Sequence, residues 1–239
     1  MPCRARIPRW PLVGAVATCL ALACAHDVPP PSGKAAATEA PVTPRLEGFS
    51  SHGHPITTKS PEAQAYFDQG LRLLYAFNYD EATLACEECT RLDSGAAMCF
   101  WGIGFAAGPN YNSPVDPDRE QRAWRAIQQA KAAAPGVSEA ERGYVEALAT
   151  RHVSPAPADR AKLDQAYADA MRALAAQHPE DLDAQVLYAE ALMNLRPWDL
   201  YDLEGNPRPG TGEIVATLEG VLAKEPQHPG GNHYYIHAV

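Results

Sequence analysis

The chain has 239 residues, 46% of them apolar, with 20 Lys and Arg against 29 Asp and Glu. This is the composition of a globular domain that can bury a core, not of a disordered tail. The net charge of −9, with no Lys/Arg cluster after the first ten residues, argues against a nucleic-acid partner, and 8% aromatics with few β-branched runs argue against an all-β sandwich. An all-α fold is expected.

Arg4, Arg6 and Arg9 precede an apolar run from Leu12 to Ala23, the order of a secretory signal and too short to span a bilayer. Residues 1–24 are therefore expected to be an export segment, and the protein periplasmic or a membrane-anchored lipoprotein. Two cleavage readings compete. Ala23-Cys24-Ala25 fits an ordinary signal peptidase, whereas Leu20-Ala21-Leu22-Ala23-Cys24 resembles a lipobox, with Ala21 where Leu is usual. In the second, a lipid on Cys24 is the one link to a membrane. Residues 25–61 contain Pro29, Pro30, Pro31, Pro41, Pro44 and Pro55 without hydrophobic periodicity and are expected to be a Pro-rich disordered linker.

Of six cysteines, Cys3 and Cys19 leave with the signal and Cys24 is acylated or lost, so Cys86, Cys89 and Cys99 remain. In an oxidising compartment one disulfide is expected, Cys99 with Cys86 or Cys89. Thr90 follows Cys89 where a c-type haem attachment needs His, and no second CxxC completes a zinc site.

Residues 62–239 carry internal repeats. An offset of 34 sets Ala63 on Ala97, Tyr66 on Phe100 and Gly70 on Gly104, and Tyr79, Ala82, Cys86, Cys89 and Leu92 follow at helical spacing. Helices are then predicted over Arg122–Ala134, Ser138–Thr150 and Ala158–Gln177, bounded by Pro117, Pro135-Gly136 and Pro155/Pro157. An offset of 47 sets Pro179 on Pro226, Tyr188 on Tyr235 and Glu190 on His237, with the insertion Pro197–Gly212 accounting for the excess. A last helix starts near Pro229-Gly230, with Asn232 as its candidate N-cap.

The segment Ala63–Ser94 resembles a tetratricopeptide repeat: Tyr66, Gly70, Tyr79, Ala82, Cys86 and Cys89 stand where that pattern wants them, and Ser94 stands where it usually has Pro. The stretches Trp101-Gly102-Ile103, Gly108–Asn112, Leu195–Leu200 and Gly231–Val239 resemble those of exported bacterial tetratricopeptide-repeat proteins, of which this chain looks like an N-terminal portion. The resemblance implies an α-solenoid of helical hairpins, incomplete at the C-terminus, whose first helices line a concave groove. It carries no assigned activity.

Carrying that register over puts Trp101, Phe105 and Asn194 on the groove as candidate ligand-binding residues. The loop Pro109–Pro114 and the turn Arg196–Asp199, polar segments with an exposed-looking Trp at the ends of groove helices, add Asn110, Tyr111, Trp198 and Asp199 to them. The register also sets Glu190 at the groove position equivalent to His237, while His233 and His237, four apart, share one helical face. Two imidazoles and a carboxylate could hold zinc, manganese or iron(II), although no Glu follows the first His as in HExxH. The plainer alternative is that His233 hydrogen-bonds across the groove to Glu190 or Asn194. No phosphate loop, Ser-His-Asp set or nucleophile elbow occurs. The leading expectation is thus a non-catalytic envelope module binding a protein or basic, amphipathic peptide in its groove. The alternative is a metal-binding protein or metal-dependent enzyme using His233, His237 and Glu190.

Overall fold

The computed structural model describes residues 40–239 apart from Phe49, Ser113 and Ala158, and these form one compact unit. The export segment, the candidate lipobox and the first part of the expected linker lie outside the described residues. Nine α-helices and no strand occur among the described residues: α1 Pro61–Tyr75, α2 Tyr79–Leu92, α3 Ala97–Ala107, α4 Pro117–Ala133, α5 Glu139–Ala149, α6 Ala161–Gln177, α7 Leu182–Met193, α8 Thr211–Lys224 and α9 Pro229–Ala238. The all-helical expectation holds.

Local chemistry sets most helix starts. Ser60 and Asp116 cap α1 and α4 with Pro at the first helical position, where the missing N–H costs nothing. Ser138 and Glu141 form a reciprocal capping box on α5, and Asp181 caps α7 through Ala184 N. The α4 helix therefore begins at Pro117, earlier than the periodicity suggests, and α6 begins at Ala161, later than expected. The last helix is capped by His228, whose ring accepts the Gly231 N–H, and not by Asn232. Asn232 instead donates to the carbonyls of Pro226 and His228.

Each helix packs on the next, alternate helices touch between α1 and α3, α3 and α5, and α7 and α9, and α9 also returns to α1. Close approach depends on small residues. A Cβ at Gly102 would lie 2.4 Å from Cys86 Sγ and one at Gly70 2.7 Å from the same atom, so Cys86 on α2 is pressed between α3 and α1. Of the two expected pairings, the disulfide is Cys89–Cys99, joining α2 to α3, and Cys86 is the buried free thiol. Burial, reinforced by the Glu87 charge, pushes that thiol up to about 12, so it is inert core.

The described part of the stretch expected as a linker, residues 40–60, has no helix, as its prolines require, yet it is a fastened strap and not free chain. Val42 N donates to Glu88, Leu46 N to Gln69, Ile56 N to Gln64 and Thr57 N to Glu141, while Tyr66 OH donates to the Thr43 carbonyl. Leu46 and Ile56 pack on the core. Periodicity cannot reveal such a strap, because its backbone partners are side chains of distant helices.

Candidate functional site

Three elements meet at one end of the helical array: the loop after α3, the turn after α7, and α9. The loop carries Asn110 and Tyr111, the turn carries Trp198, and α9 carries His233 and His237. The Tyr111 and Trp198 rings lie 5.0 Å apart; His237 stands 5.5 Å from Trp198, edge to face, and 5.8 Å from Tyr111. Phe77, from the turn between α1 and α2, stacks on His237 at 5.4 Å and lies 4.3 Å from His233. Desolvation within this aromatic ring, with the neighbouring His233, lowers the pKa of His237.

The backbone here is held under strain. Phe77 and Trp198, both at φ 58°, are the two described non-glycine residues with positive φ, and both rings face His237. For bulky side chains this region costs about 1–3 kcal/mol and persists where the surroundings over-determine it, often at ligand clamps. Trp198 is nonetheless 66% exposed, so core burial does not account for its position.

Beneath this mouth lies a depression of about 300 Å³ lined by Asn110, Tyr111, Arg151, Asp164, Asn194 and Trp198. Arg151, Asp164 and Asn194 of its wall belong to a buried polar group whose other members, Glu190, Tyr167 and Tyr234, lie behind the wall and do not line the depression. The Arg151 guanidinium donates to Asp164 at 3.1 Å, rests 4.8 Å over the Tyr167 ring and approaches Glu190 at 3.9 Å. Asn194, one turn after Glu190, donates to Glu190 Oε1. The pairing is incomplete: Glu190 Oε2, Asn194 Oδ1 and the hydroxyls of Tyr167 and Tyr234 are buried with no hydrogen-bond partner among the described residues. Burial outweighs the Arg151 charge and raises the Glu190 carboxyl to about 7.

Of the residues singled out from the sequence, Asn110, Tyr111, Asn194 and Trp198 therefore converge on one depression, and His233 and His237 face each other beside it, Nε2 to Nε2 at 3.3 Å. Asp199 borders an adjoining depression and pairs with Arg208 at 2.7 Å. Trp101 and Phe105 go elsewhere: they stack on each other at 5.3 Å in the core, with Trp101 1% exposed. Glu190 does not group with the two histidines as a third ligand. Its partners are Arg151 and Asn194, and the described groups of three potential ligands lie in another place.

That other place is a cluster that sequence reasoning missed. His52 and His54 of the strap, Tyr75 at the end of α1, Tyr144 on α5, Asp181 and Asp183 at the start of α7, and Glu225 and His228 before α9 come together in the interior. Asp183 Oδ1 accepts from His52 Nε2 at 3.0 Å and from Tyr75 OH at 2.5 Å, and Oδ2 accepts from His54 Nδ1 at 2.8 Å. Asp181 accepts from Tyr144 OH and from Ala184 N. Burial works against the Asp183 carboxylate, but its histidine partners hold it well below the usual range. For His52 and His54 burial is likewise outweighed, by Asp183 with Glu225 or Asp181, and both imidazoles are raised.

Two trios here, His52–Glu225–His228 and His54–Asp181–Asp183, are compact enough to enclose an ion. Their hydrogen bonds argue for a self-contained clasp. The oxygens of Asp181 and Asp183 already accept from protein donors, and His228 uses Nδ1 to accept from Gly231, which puts its ring proton on Nε2, 3.3 Å from Asp183. A neutral imidazole cannot keep that proton and ligate through the same nitrogen. The spacings His52-x-His54 and Asp181-x-Asp183 were the only local hints, and neither names its partner.

No protein-family model matches the chain, and no curated protein or solved structure gives a significant match.

Proposed function

We propose that this chain is a non-catalytic binding module, a tetratricopeptide-like α-solenoid of an exported bacterial envelope protein, that takes a peptide or protein segment at the mouth formed by Tyr111, Trp198 and His237. The observation that carries this reading is the contrast between an exposed, conformationally strained Trp198 at the rim and the buried Asn194 Oδ1, unpartnered among the described residues, in the wall of the depression below it. A buried polar atom without a partner costs about 1–3 kcal/mol. A ligand bringing an N–H donor to Asn194, with an apolar or aromatic side chain against Trp198, would recover that cost. The acidic balance of the chain favours a basic or amphipathic ligand over an acidic one.

Selection from a random-peptide display library on the untagged protein, followed by fluorescence-anisotropy titration of the enriched peptides, tests this. Enriched sequences should carry Lys or Arg beside an aromatic residue and should bind Trp198→Ala and Asn194→Ala at least ~10-fold more weakly, the loss of about one hot-spot contact. Enrichment of nothing, or peptides that bind all three proteins equally, would sink the proposal.

A further inference from the structure

We infer that His233 and His237 form a two-imidazole zinc site at the rim of the groove, with its open coordination positions available to water or to a donor of a bound ligand. The inference stands apart from the peptide reading and needs no Glu190.

Three geometric observations carry it. First, the Nε2 atoms of the two rings face each other at 3.3 Å. With Zn–N bonds of about 2.0–2.1 Å and tetrahedral angles, two imidazole nitrogens on one ion sit roughly 3.3–3.4 Å apart. Second, His233 Nδ1 lies 2.5 Å from the Tyr75 carbonyl oxygen, which can only accept, so Nδ1 carries the proton and Nε2 presents its lone pair toward His237. A ligating histidine that donates its other N–H to a backbone carbonyl is the usual arrangement around a protein-bound metal, because it sets both tautomer and ring direction. Third, His237 is held on three sides by Phe77, Tyr111 and Trp198, so neither ring must be ordered when the ion arrives.

The resting contact is a hydrogen bond in which His237 Nε2–H donates to His233 Nε2. Zinc replaces that proton, which moves to Nδ1 of His237, so the pair loses no net proton on binding. Neutral nitrogen ligands with no carboxylate between them select borderline ions such as zinc over magnesium or calcium. Of the five other described histidines, His52, His54 and His228 surround Asp183, His152 pairs with Glu120 in the interior, and His178, at the end of α6, belongs to neither group.

The test is calorimetric titration of Zn²⁺ into the metal-stripped, untagged 239-residue chain, with Mg²⁺ as the contrast. One equivalent of Zn²⁺ should bind and Mg²⁺ should not. His233→Gln and His237→Gln should each weaken zinc binding at least ~10-fold at unchanged helicity, and Glu225→Gln, at the other histidine cluster, should leave it intact. Position is read separately with Co²⁺, which should quench Trp198 fluorescence in the wild type; Trp198→Phe should abolish that quenching while retaining cobalt binding. Absence of zinc binding, binding that survives the double His variant, or quenching that persists without Trp198 would each overturn the site. Repeating the peptide titrations in chelator keeps a failure here distinct from a failure of the groove.

Discussion

The Asp183 clasp and the Glu190 group are both buried polar clusters with an acidic residue of α7 at their centre, but they are built in opposite ways. Asp183 receives His52, His54 and the Tyr75 hydroxyl, so both of its oxygens accept and its carboxyl is held well below the usual range. His228 Nε2, 3.3 Å away, is the buried ring nitrogen of the clasp that makes no hydrogen bond among the described residues. Glu190 faces one arginine at 3.9 Å and one amide, keeps an oxygen without a partner, and has its carboxyl raised to about 7. Satisfied networks rigidify; half-satisfied ones are retained where something else completes them. The difference teaches that the first cluster ties the strap to the helices, whereas the second is left incomplete behind the depression where we propose that a ligand binds.

The comparison is broken most directly by converting each acid to its amide. Asp183→Asn leaves His52 and His54 facing a group that no longer carries charge, and the loss of one partner from a buried ion cluster costs about 3–5 kcal/mol, measured as a drop in urea unfolding free energy at pH 6. Glu190→Gln should act in the other direction at pH 8. A carboxyl whose folded pKa lies above its unfolded value loses stability as pH rises from about 4.5 to about 7, and the amide escapes that loss. Equal destabilisation by the two substitutions would abolish the distinction.

The contact of α9 with α1 beside the clasp gives the next effect. A Cβ at Gly230 would sit 2.6 Å from the Tyr75 ring, so Gly230→Ala should overpack the contact of α9 with α1 and cost about 1–3 kcal/mol in the same unfolding assay. Tyr75 links the clasp, through its hydroxyl, to the His233–His237 pair, through its carbonyl, so the zinc affinity should fall with it.

The clasp also gives a pH dependence. His52 and His54 have folded pKa values above the ordinary 6.5, so their contribution is full below about pH 6.5 and is lost as pH rises through the raised values. Asp183 acts at the other end, its contribution lost only as pH falls through its depressed value. Hydrogen exchange of strap amides such as Thr57, followed from pH 6 to pH 9 and corrected for intrinsic rates, should show protection falling with pH; flat protection would deny the clasp this role. The smallest expected change in stability is at the exposed rim: Trp198→Ala keeps the Cβ and so the positive-φ cost, and should shift stability by no more than about 0.5 kcal/mol, while peptide binding falls.

Much of the helical plan was legible because it is encoded locally. The start of α5 at Ser138 and the apolar spacing along it act over fewer than about two turns, the range over which caps and periodicity operate. On α4, by contrast, the apolar spacing starts only at Arg122 and does not show that the helix begins at the Asp116–Pro117 cap. The mouth was partly legible as well, since Asn110, Tyr111, Asn194 and Trp198 stood out as polar or exposed aromatic residues at helix ends. Trp101 and Phe105 were not separable from groove residues, because a helix apolar on all sides, as α3 is, does not reveal which face meets solvent.

The sequence by itself determined the all-helical class, most helix positions, the His233–His237 spacing and the presence of a disulfide ending at Cys99, for these follow from short-range sterics, capping and composition. Tertiary structure alone decided that Cys89 and not Cys86 is its partner, that Glu190 belongs to Arg151 and not to the histidines, and that His52 and His54 reach Asp183 across 131 and 129 residues of chain. Such pairings depend on the angles at which packed helices cross and on how an extended strap lies over them, and no local pattern of side chains carries that information.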